Sequence, residues 1–472
     1  MNARRGKVWL VGAGPGDPGL LTLKGARAIA TCEALVYDHL AARAIVDLAP
    51  PECERIDAGE NAGTPSIAPA ELTAMIVRLA SEGKRVVRLA GGDPFAFGRG
   101  AEEAQAFNAA GVAFEIVPGV TPATAVPAYA GITLANPQPT TIVLEAMTNL
   151  AGIVGALRQN GLSDRTPVAI VREGTKPGQE TLVATLATIV DEVERTPFAA
   201  PAIVVIGDAV NERETTRWFD RAPLFGKRVL ITRPLAQARE FAQQVWEAGA
   251  EPLLAPTIAI GPPDDAAGAW SAVARVREYA WIVFTSRNAV EAFFDRLAAA
   301  GKDARGFGNC KIAAIGSKTA AALAAHGIAV DFVPDVFVNE AVADGLIERT
   351  VAGQRLLVYR AQEARDVISR ALGRVGRAVD IVAGYKTSYV DDPTLRTSAE
   401  RADIVTFTSA SSVHGFVHNL ADAAAVLART TVAAIGPITA SAARELGIRV
   451  DVVATEFTVE GLVQALEDAV TA

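Results

Sequence analysis

The sequence predicts an α/β protein of more than one domain, with mostly parallel sheets. Three observations carry this expectation. Short apolar, β-branched runs recur along the chain and end in Gly, Ser or Thr turns; Ala-rich stretches of helical period separate them; and the second half of the chain repeats itself. Continuous apolar strands are what a sheet buried on both faces demands, and helices alternating with them supply the cover. With 472 residues, half of them apolar, the chain can bury several cores.

In chain order the strand-like runs include VWLVG (8–12), RVVRLAGGD (85–93), VAIVREG (168–174), AIVVIGD (202–208), RVLITR (228–233) and WIVFTS (281–286). The first leads through Gly12-X-Gly14-X-Gly16 into a helix. Alone that is a weak nucleotide signal, and Pro15 and Asp17 depart from a dinucleotide fingerprint. The clearest boundary lies where Asn211–Arg221 turns polar, Pro223 breaks it and Gly226-Lys227 opens a new strand. The expected division is a domain over 1–210, a linker over 211–225 and a second domain over 226–472.

Within that second domain RVLITR at 228 matches RLLVYR at 355, an offset of 127. FTSRNAVEAFFDRL matches FTSASSVHGFVHNL, with Thr285 answering Thr408 at an offset of 123, and Gly316 answers Gly436 at an offset of 120. Three blocks in the same order mark a duplicated α/β unit, and two similar lobes imply a cleft.

In both copies a strand ends in Thr-Ser or Gly and a helix follows. The junctions hold Thr285, Ser286 and Asn288; Gly316, Ser317 and Thr319; Thr408, Ser409 and Ser411; and Gly436 and Thr439. Such a junction offers free N–H groups, hydroxyls and the positive end of a helix dipole. Each Ser or Thr taken singly reads equally well as a helix N-cap. Four junctions in register across two copies favour a cleft for a ligand with many carboxylates. Arg233, Arg360 and Arg365 can pair with such groups, or sit on the surface as ordinary arginines.

Charge and composition exclude several classes. A net charge of −8 argues against a phosphate-backbone binder, so no nucleic acid is expected. Cys32, Cys53 and Cys310 show no paired or metal-type spacing and read as free buried thiols. His39, His326, His414 and His418 are too scattered for a metal site, although His414 and His418 have helical spacing. No apolar segment is long enough for a signal core or a membrane span, so a cytoplasmic protein is expected.

The ordered set ITRP (231–234), FTSRNAV (284–290), AAIGSKTA (313–320), GYKTS (384–388), FTSASSV (407–413) and AAIGPITA (433–440) resembles the uroporphyrinogen-III synthase family over residues 226–472. The resemblance implies a substrate, hydroxymethylbilane, that is a linear tetrapyrrole with eight carboxylates. The reaction loses water, inverts the terminal ring and closes the macrocycle to uroporphyrinogen III, without a cofactor. It implies interleaved lobes, one of 226–260 plus 390–472 and one of 261–389, with the substrate held between them. It also implies a catalytic phenol in a Tyr-X-Thr motif, here Tyr385-Lys386-Thr387, which can protonate the departing hydroxyl.

Further upstream, GPGDPGLLT (14–22), YDHL (37–40), VVRLAGGDPFAFGRGAEE (86–103) and VPGVTPATAVPAYAGI (117–132) resemble the tetrapyrrole methyltransferases, uroporphyrinogen-III C-methyltransferase above all, over residues 6–210. The resemblance implies that Pro15, Gly91, Gly92, Asp93, Thr121 and Gly174 line a site for S-adenosylmethionine, with Asp38 as proton acceptor. It also implies a homodimer through this domain.

Departures from the family pattern matter here. The family's Gly-Lys-Arg-Ala-Gly reads Gly59-Glu60-Asn61-Ala62-Gly63, which sets an anion beside a carboxylate-rich substrate. Ala90 replaces the lysine before Gly91. The run Thr133–Asn136 rejoins at TTIVLEAMTNL (140–150) without the family's usual strand-and-helix unit, and Leu144-Glu145-Ala146 replaces Tyr-Met-Gly. The expectation is a shortened methyltransferase domain with lost or weak methylation. A bifunctional enzyme that cyclises and then methylates is the alternative. A non-catalytic, two-lobed tetrapyrrole-binding protein is the rival from another class.

Overall fold

The computed structural model describes residues 6–38, 42–61, 64–65, 67–135, 137–196, 198 and 201–471, with the side chains of 60–61 and 64–65 outside the description. Two compact units form, the first carrying the chain up to Arg228 with Val245–Glu251, the second Val229–Gln244 with Pro252–Ala469.

The first unit opens on a five-stranded, wholly parallel sheet. Its strands are β1 (Lys7–Gly12), β2 (Ala34–Tyr37), β3 (Glu54–Asp57), β6 (Arg85–Ala90) and β7 (Ala113–Val117), with a short hairpin, β4 (Glu60–Asn61) and β5 (Thr64–Pro65), beside them. The order is β3-β2-β6-β1-β7. Alternate residues of β1 feed opposite cores: Val11 packs with Ile29, Leu35 and Val87, and Val8 packs with Val36, Ile76 and Phe107. Burial on both faces explains why these strands read as continuous apolar runs.

A second sheet of this unit is the exception to the mostly parallel pairing expected. It comprises β8 (Thr141–Leu144), β9 (Pro167–Arg172), β10 (Glu180–Thr185) and β11 (Ala202–Ile206) in the order β10-β9-β11-β8, and every pair is antiparallel. The apolar runs at 168–174 and 202–208 are its two central strands, buried on both faces, so their pattern imitates a parallel sheet. Direction is set instead by the short 173–179 connection, which returns the chain as a hairpin.

The stretch 211–225, expected as a linker, is packed rather than extended. Arg213 is buried and hydrogen-bonds Ala130 O and Asp220, Trp218 Nε1 donates to Ala128 O at 3.1 Å, and Leu224 is fully buried. Its polar composition reflects these internal partners.

The second unit holds two sheets. One is β13-β12-β19-β20-β21, from β12 (Arg228–Ile231), β13 (Glu251–Leu254), β19 (Ile404–Phe407), β20 (Thr431–Ala434) and β21 (Val452–Val453). The other is β14-β18-β17-β15-β16, from β14 (Ile258–Gly261), β15 (Trp281–Phe284), β16 (Lys311–Ala314), β17 (Arg355–Ala361) and β18 (Ala378–Tyr389), parallel except for β14 on its edge. The matched sequence blocks occupy matched places, β12 with β17, β15 with β19 and β16 with β20.

The repeat extends to packing. Phe284 meets Phe293 edge-on at 5.4 Å and 87°, and Phe407 meets Phe416 at the same distance and angle. Asp331 accepts from Ile312 N at 2.8 Å, and Asp451 from Val432 N at 2.9 Å.

Candidate active site

At the carboxyl ends of β15 and β19 the expected junctions form, and the two serines cap the helices that follow. Ser286 Oγ accepts from Ala289 N at 3.1 Å. Ser409 Oγ accepts from Ser412 N at 3.1 Å, while Ser409 N donates back to Ser412 Oγ at 3.3 Å, closing a capping box. After β16 and β20 the caps are Gly316 and Gly436, with no side-chain cap bond. The rings of Phe337 and Phe457 sit close over these glycines: a Cβ at Gly316 would stand 3.0 Å from the first and one at Gly436 2.9 Å from the second. Thr319 and Thr439, read from the pattern as substrate contacts, are buried at 4% and 5% exposure, whereas Ser317 and Ser411 are exposed.

Tyr385 is placed by a β-bulge. Arg360 pairs with Ala383 but Ala361 with Tyr385, so Gly384 is the extra residue. A bulge turns the following side chain, and only glycine fits, because a Cβ at 384 would lie 2.2 Å from the Tyr359 ring. The phenol lies in the core beside Phe284 and Tyr359, with its hydroxyl 3.0 Å from Ser286 Oγ. Burial pushes its pKa above the ordinary tyrosine value; hydrogen bonds from Ser286 and Asn288 act against that, and the charge of Glu363 adds to it. A buried phenol that keeps its proton is suited to act as a general acid.

Two cavities meet at this residue. One, of about 160 Å³, is lined by Thr285, Ser286, Arg360, Arg365 and Tyr385. The Arg360 guanidinium is 14% exposed and donates to Arg365 O at 2.7 Å, with Asp366 only at 3.9 Å. The other, of about 950 Å³, runs along the helix Arg287–Ala299 and is lined by Gln237, Trp270, Arg287, Asn288, Arg296 and Tyr385. Residues from both sheets of the unit therefore face one groove. Arg233, Gly316, Ser317, Thr319, Thr408, Ser409, Ser411, Gly436 and Thr439 line neither cavity. Arg233 is half-buried; burial lowers its pKa, and Glu240 and Glu460 offset only part of that. Its Nη2 donates to Gln237 Oε1 at 3.2 Å, and Gln237 Nε2 donates to Asn288 Oδ1 at 2.7 Å. Gln237 was not singled out from sequence, since one polar residue on an amphipathic helix carries no signal of its own.

In the first unit the glycine-rich loops converge at the carboxyl ends of β1, β6 and β7, where the strand order reverses. Gly14 and Gly92 exchange backbone hydrogen bonds at 3.1 and 2.8 Å. A Cβ at Gly12 would lie 2.5 Å from both Gly92 O and Gly119 Cα, so no side chain separates these loops. Asp93 ties them down: Oδ1 accepts from Phe95 N and Ala96 N, and Oδ2 from Gly119 N. Pro15 stands between Gly14 and Gly16, both at positive φ, and Thr121 caps the helix Pro122–Tyr129. Asp17 accepts from Tyr129 Oη at 2.6 Å and donates its N–H to Thr175 Oγ1 at 3.1 Å, next to Gly174. Asp38 is held by the buried Arg88, whose Nη1 lies 3.0 Å away and whose Nε reaches Glu103 at 3.2 Å. Burial pushes Glu103 up, and Arg88 pulls it only partly back.

Gly91 lies in the same loop, half-buried. His39, Ala62, Gly63, Asn136 and the side chain of Glu60 lie outside the described residues. Cys32 and Cys53 are the free, buried thiols expected, whereas Cys310 is free but only partly buried. Cys32 and Cys53, which show no pairing along the chain, precede the neighbouring strands β2 and β3, and their Sγ atoms are 3.3 Å apart in the core. Both are free, and burial, then the facing thiol, pushes Cys32 well above its usual pKa. His418 lies 3.4 Å from Asp391 and packs against Tyr389. Among the described residues no helix is long and apolar enough to cross a membrane.

Comparison with known proteins bears on both units. The family model Uroporphyrinogen-III synthase HemD matches residues 239–464, and that of Tetrapyrrole (Corrin/Porphyrin) Methylases matches residues 7–190. The porphyrin biosynthesis protein HemD of Ruminiclostridium josui is 34% identical over 494 residues, covering 98% of this chain and 97% of that protein. The S-adenosyl-L-methionine-dependent uroporphyrinogen III methyltransferase of Methanosarcina barkeri (strain Fusaro / DSM 804) is 41% identical over 241 residues, or 45% of this chain and 94% of its own length. Among solved structures, the native uroporphyrin III C-methyl transferase from Thermus thermophilus is 30% identical, covering 43% of this chain and 99% of its own, with a TM-score of 0.38. The chain belongs to the HemD family of porphyrin biosynthesis proteins, as a tetrapyrrole methylase domain fused to a uroporphyrinogen-III synthase domain.

Proposed function

We propose that residues 226–472 convert hydroxymethylbilane into uroporphyrinogen III, with Tyr385 as the general acid. The observation that carries this reading is a buried, protonated phenol between two cavities, hydrogen-bonded to Ser286 and close to guanidinium groups. Arg360 and Arg365 hold carboxylate arms of the substrate, and the N–H groups at Thr285, Ser286, Asn288, Gly316, Ser317, Thr319, Thr408, Ser411, Gly436 and Thr439, together with the Ser409 hydroxyl and Arg233, hold the rest. The phenol gives its proton to the departing hydroxyl, the C–O bond breaks and water leaves. The proton released when the last pyrrole regains aromaticity returns to the phenolate, so water is the only net loss. The lobes act as 226–260 with 390–472 and as 261–389, after a methylase domain over 1–210.

A second reading is favoured by the glycine loops of the first unit. Their close, side-chain-free approach at the edge where ligands of doubly wound sheets bind fits a nucleoside cofactor such as S-adenosylmethionine. Pro15, Gly91, Gly92, Asp93, Thr121 and Gly174 would hold it, and when bound it supplies an electrophilic methyl group. Asp93 serves by fixing the loops, since its carboxylate is committed to three backbone amides. Asp38, anchored by Arg88, is the acceptor for the proton that the methylated carbon loses. Glu60 in place of lysine makes this the weaker activity. The setting is the cytoplasm, and a homodimer forms through the first domain.

Purified full-length protein is incubated with freshly generated hydroxymethylbilane, with and without S-adenosylmethionine, and products are resolved by isomer and methylation state. Type III uroporphyrin is expected, with little methylated product. Type I alone, at the spontaneous rate, overturns the synthase reading; rapid methylation overturns the ranking of the two activities.

A further inference from the structure

The turn between β9 and β10 holds two residues in a conformation that side chains disfavour. Glu173 and Thr175 have φ of 48° and 70°, on either side of Gly174. A β-branched residue at positive φ is an outlier, and such strain persists only where the surroundings over-determine it, often at ligand clamps. Thr175 is also fully buried, so its hydroxyl has to find a partner inside the protein.

Those surroundings form a closed ring of hydrogen bonds. Asp17 N donates to Thr175 Oγ1 at 3.1 Å, and Thr175 N donates to Gln179 Oε1 at 2.9 Å. Gln179 Nε2 donates to Tyr129 O at 3.2 Å, and Tyr129 Oη donates to Asp17 Oδ2 at 2.6 Å. Every link has one direction. Backbone N–H groups only donate and a backbone carbonyl only accepts, which fixes the Gln179 amide at both ends, while the Asp17 carboxylate accepts from the phenol. Gln179 is buried, and the Tyr129 ring is packed edge-on by Trp218 at 5.0 Å and Phe219 at 4.8 Å.

The ring joins three pieces of chain from the two sheets of the first unit. They are the loop after β1 that carries Pro15, the helix Pro122–Tyr129 that Thr121 caps, and the turn that carries Gly174. The pieces are in close contact: a Cβ at Gly16 would lie 3.0 Å from Thr175 Oγ1, and one at Gly174 2.5 Å from Val126 Cγ1 on that helix. A network satisfied at every member rigidifies what it connects, and a site held in its binding geometry before the ligand arrives binds more tightly.

We infer that Thr175 is a positioning residue for the cofactor of the first unit, its hydroxyl holding the Asp17 N–H so that the Pro15 loop, the Thr121 helix and the Gly174 turn close on one ligand. The inference rests on the S-adenosylmethionine reading above. The strained backbone is kept because it aims this hydroxyl at the glycine loop.

Thr175→Val keeps the branched shape and removes only the hydroxyl, leaving the Asp17 N–H without its acceptor. Full-length protein is titrated calorimetrically with S-adenosylhomocysteine, the product that the cofactor leaves, well below the melting temperature of each variant. The dissociation constant is expected to rise about tenfold or more. Thr175→Ser, which restores the oxygen, should bind almost as tightly as wild type. A merely structural role would lower the melting temperature of Thr175→Val and leave the affinity of the folded protein unchanged; that result overturns the inference, as does an equal loss in Thr175→Val and Thr175→Ser. If Thr175→Val does not fold, Tyr129→Phe serves instead, because it opens the same ring on the other side of Asp17, and an unchanged dissociation constant there overturns the inference. Wild-type protein that does not bind S-adenosylhomocysteine overturns the cofactor reading, and the inference with it. Binding by wild type with an unaffected Thr175→Val overturns the inference alone.

Discussion

The two copies of the duplicated unit share a scaffold and differ in what they do with one serine. Ser286 and Ser409 both end a strand, both adopt extended backbone and both cap a helix. Both hydroxyls accept from the N–H three residues on, but Ser409 is closed in a capping box, its own N–H donating to Ser412 Oγ. Ser286 has no such partner; its following residues are Arg287 and Asn288, and its hydroxyl faces Tyr385 instead. The position that answers Asn288 in the other copy is Ser411, exposed to solvent. Duplication thus supplies two equivalent sets of helix N-termini, and in one of them a bulge at Gly384 brings a tyrosine hydroxyl against the capping serine.

The largest effect that tests this asymmetry is expected at Tyr385. Tyr385→Phe should lower the rate of type III formation by about a hundredfold or more, with thermal stability close to wild type, because only one hydroxyl is removed. A rate unchanged within error would show that the bulged strand contributes shape alone. Next in size, Arg360→Gln should raise KM by about tenfold, which is about 1.4 kcal/mol and the lower end of what one hydrogen bond to a charged group contributes, and leave kcat nearly intact. A fall in kcat at constant KM would place Arg360 in the chemical step.

The serines themselves give the sharper comparison. Ser286→Ala and Ser409→Ala should each cost about 1 kcal/mol of stability through loss of a cap, read from denaturant melts. Only Ser286→Ala should also slow type III formation. Equal slowing by both would erase the distinction between the copies. The smallest effect at neutral pH concerns titration. A general acid works while protonated, and the raised pKa of Tyr385 keeps it so to higher pH than an ordinary phenol. The rate should stay flat through neutrality and fall only as pH rises above about 10; a decline nearer pH 8 would mean that another group is the acid.

Much of the architecture was legible before the coordinates. Periodicity gave the strands and helices of both units, and the offsets of the internal repeat placed matched blocks on matched strands, down to the pairs Phe284–Phe293 and Phe407–Phe416. Strand direction was not legible in the second sheet of the first unit. Val168–Val171 and Ile203–Ile206 are apolar because they are central, and centrality looks the same in parallel and antiparallel sheets. The polar stretch 211–225 reads as a linker because composition cannot tell solvated side chains from those paired internally, as Arg213 and Asp220 are.

Site residues divide in the same way. Thr285, Ser286, Tyr385, Arg360 and Arg365 carry recognisable local chemistry, and the structure gathers them at one cavity. The contact of Gln237 with Asn288 was invisible, as was the meeting of Cys32 and Cys53, because both depend on which elements become neighbours. Residue type and spacing along the chain determined the fold class, the duplication and the junctions, since these follow from local periodicity and from backbone groups every residue possesses. Tertiary structure alone decided what the phenol of Tyr385 and the amide of Asn288 meet, since those depend on contacts a few ångströms long between residues 99 and 51 positions apart.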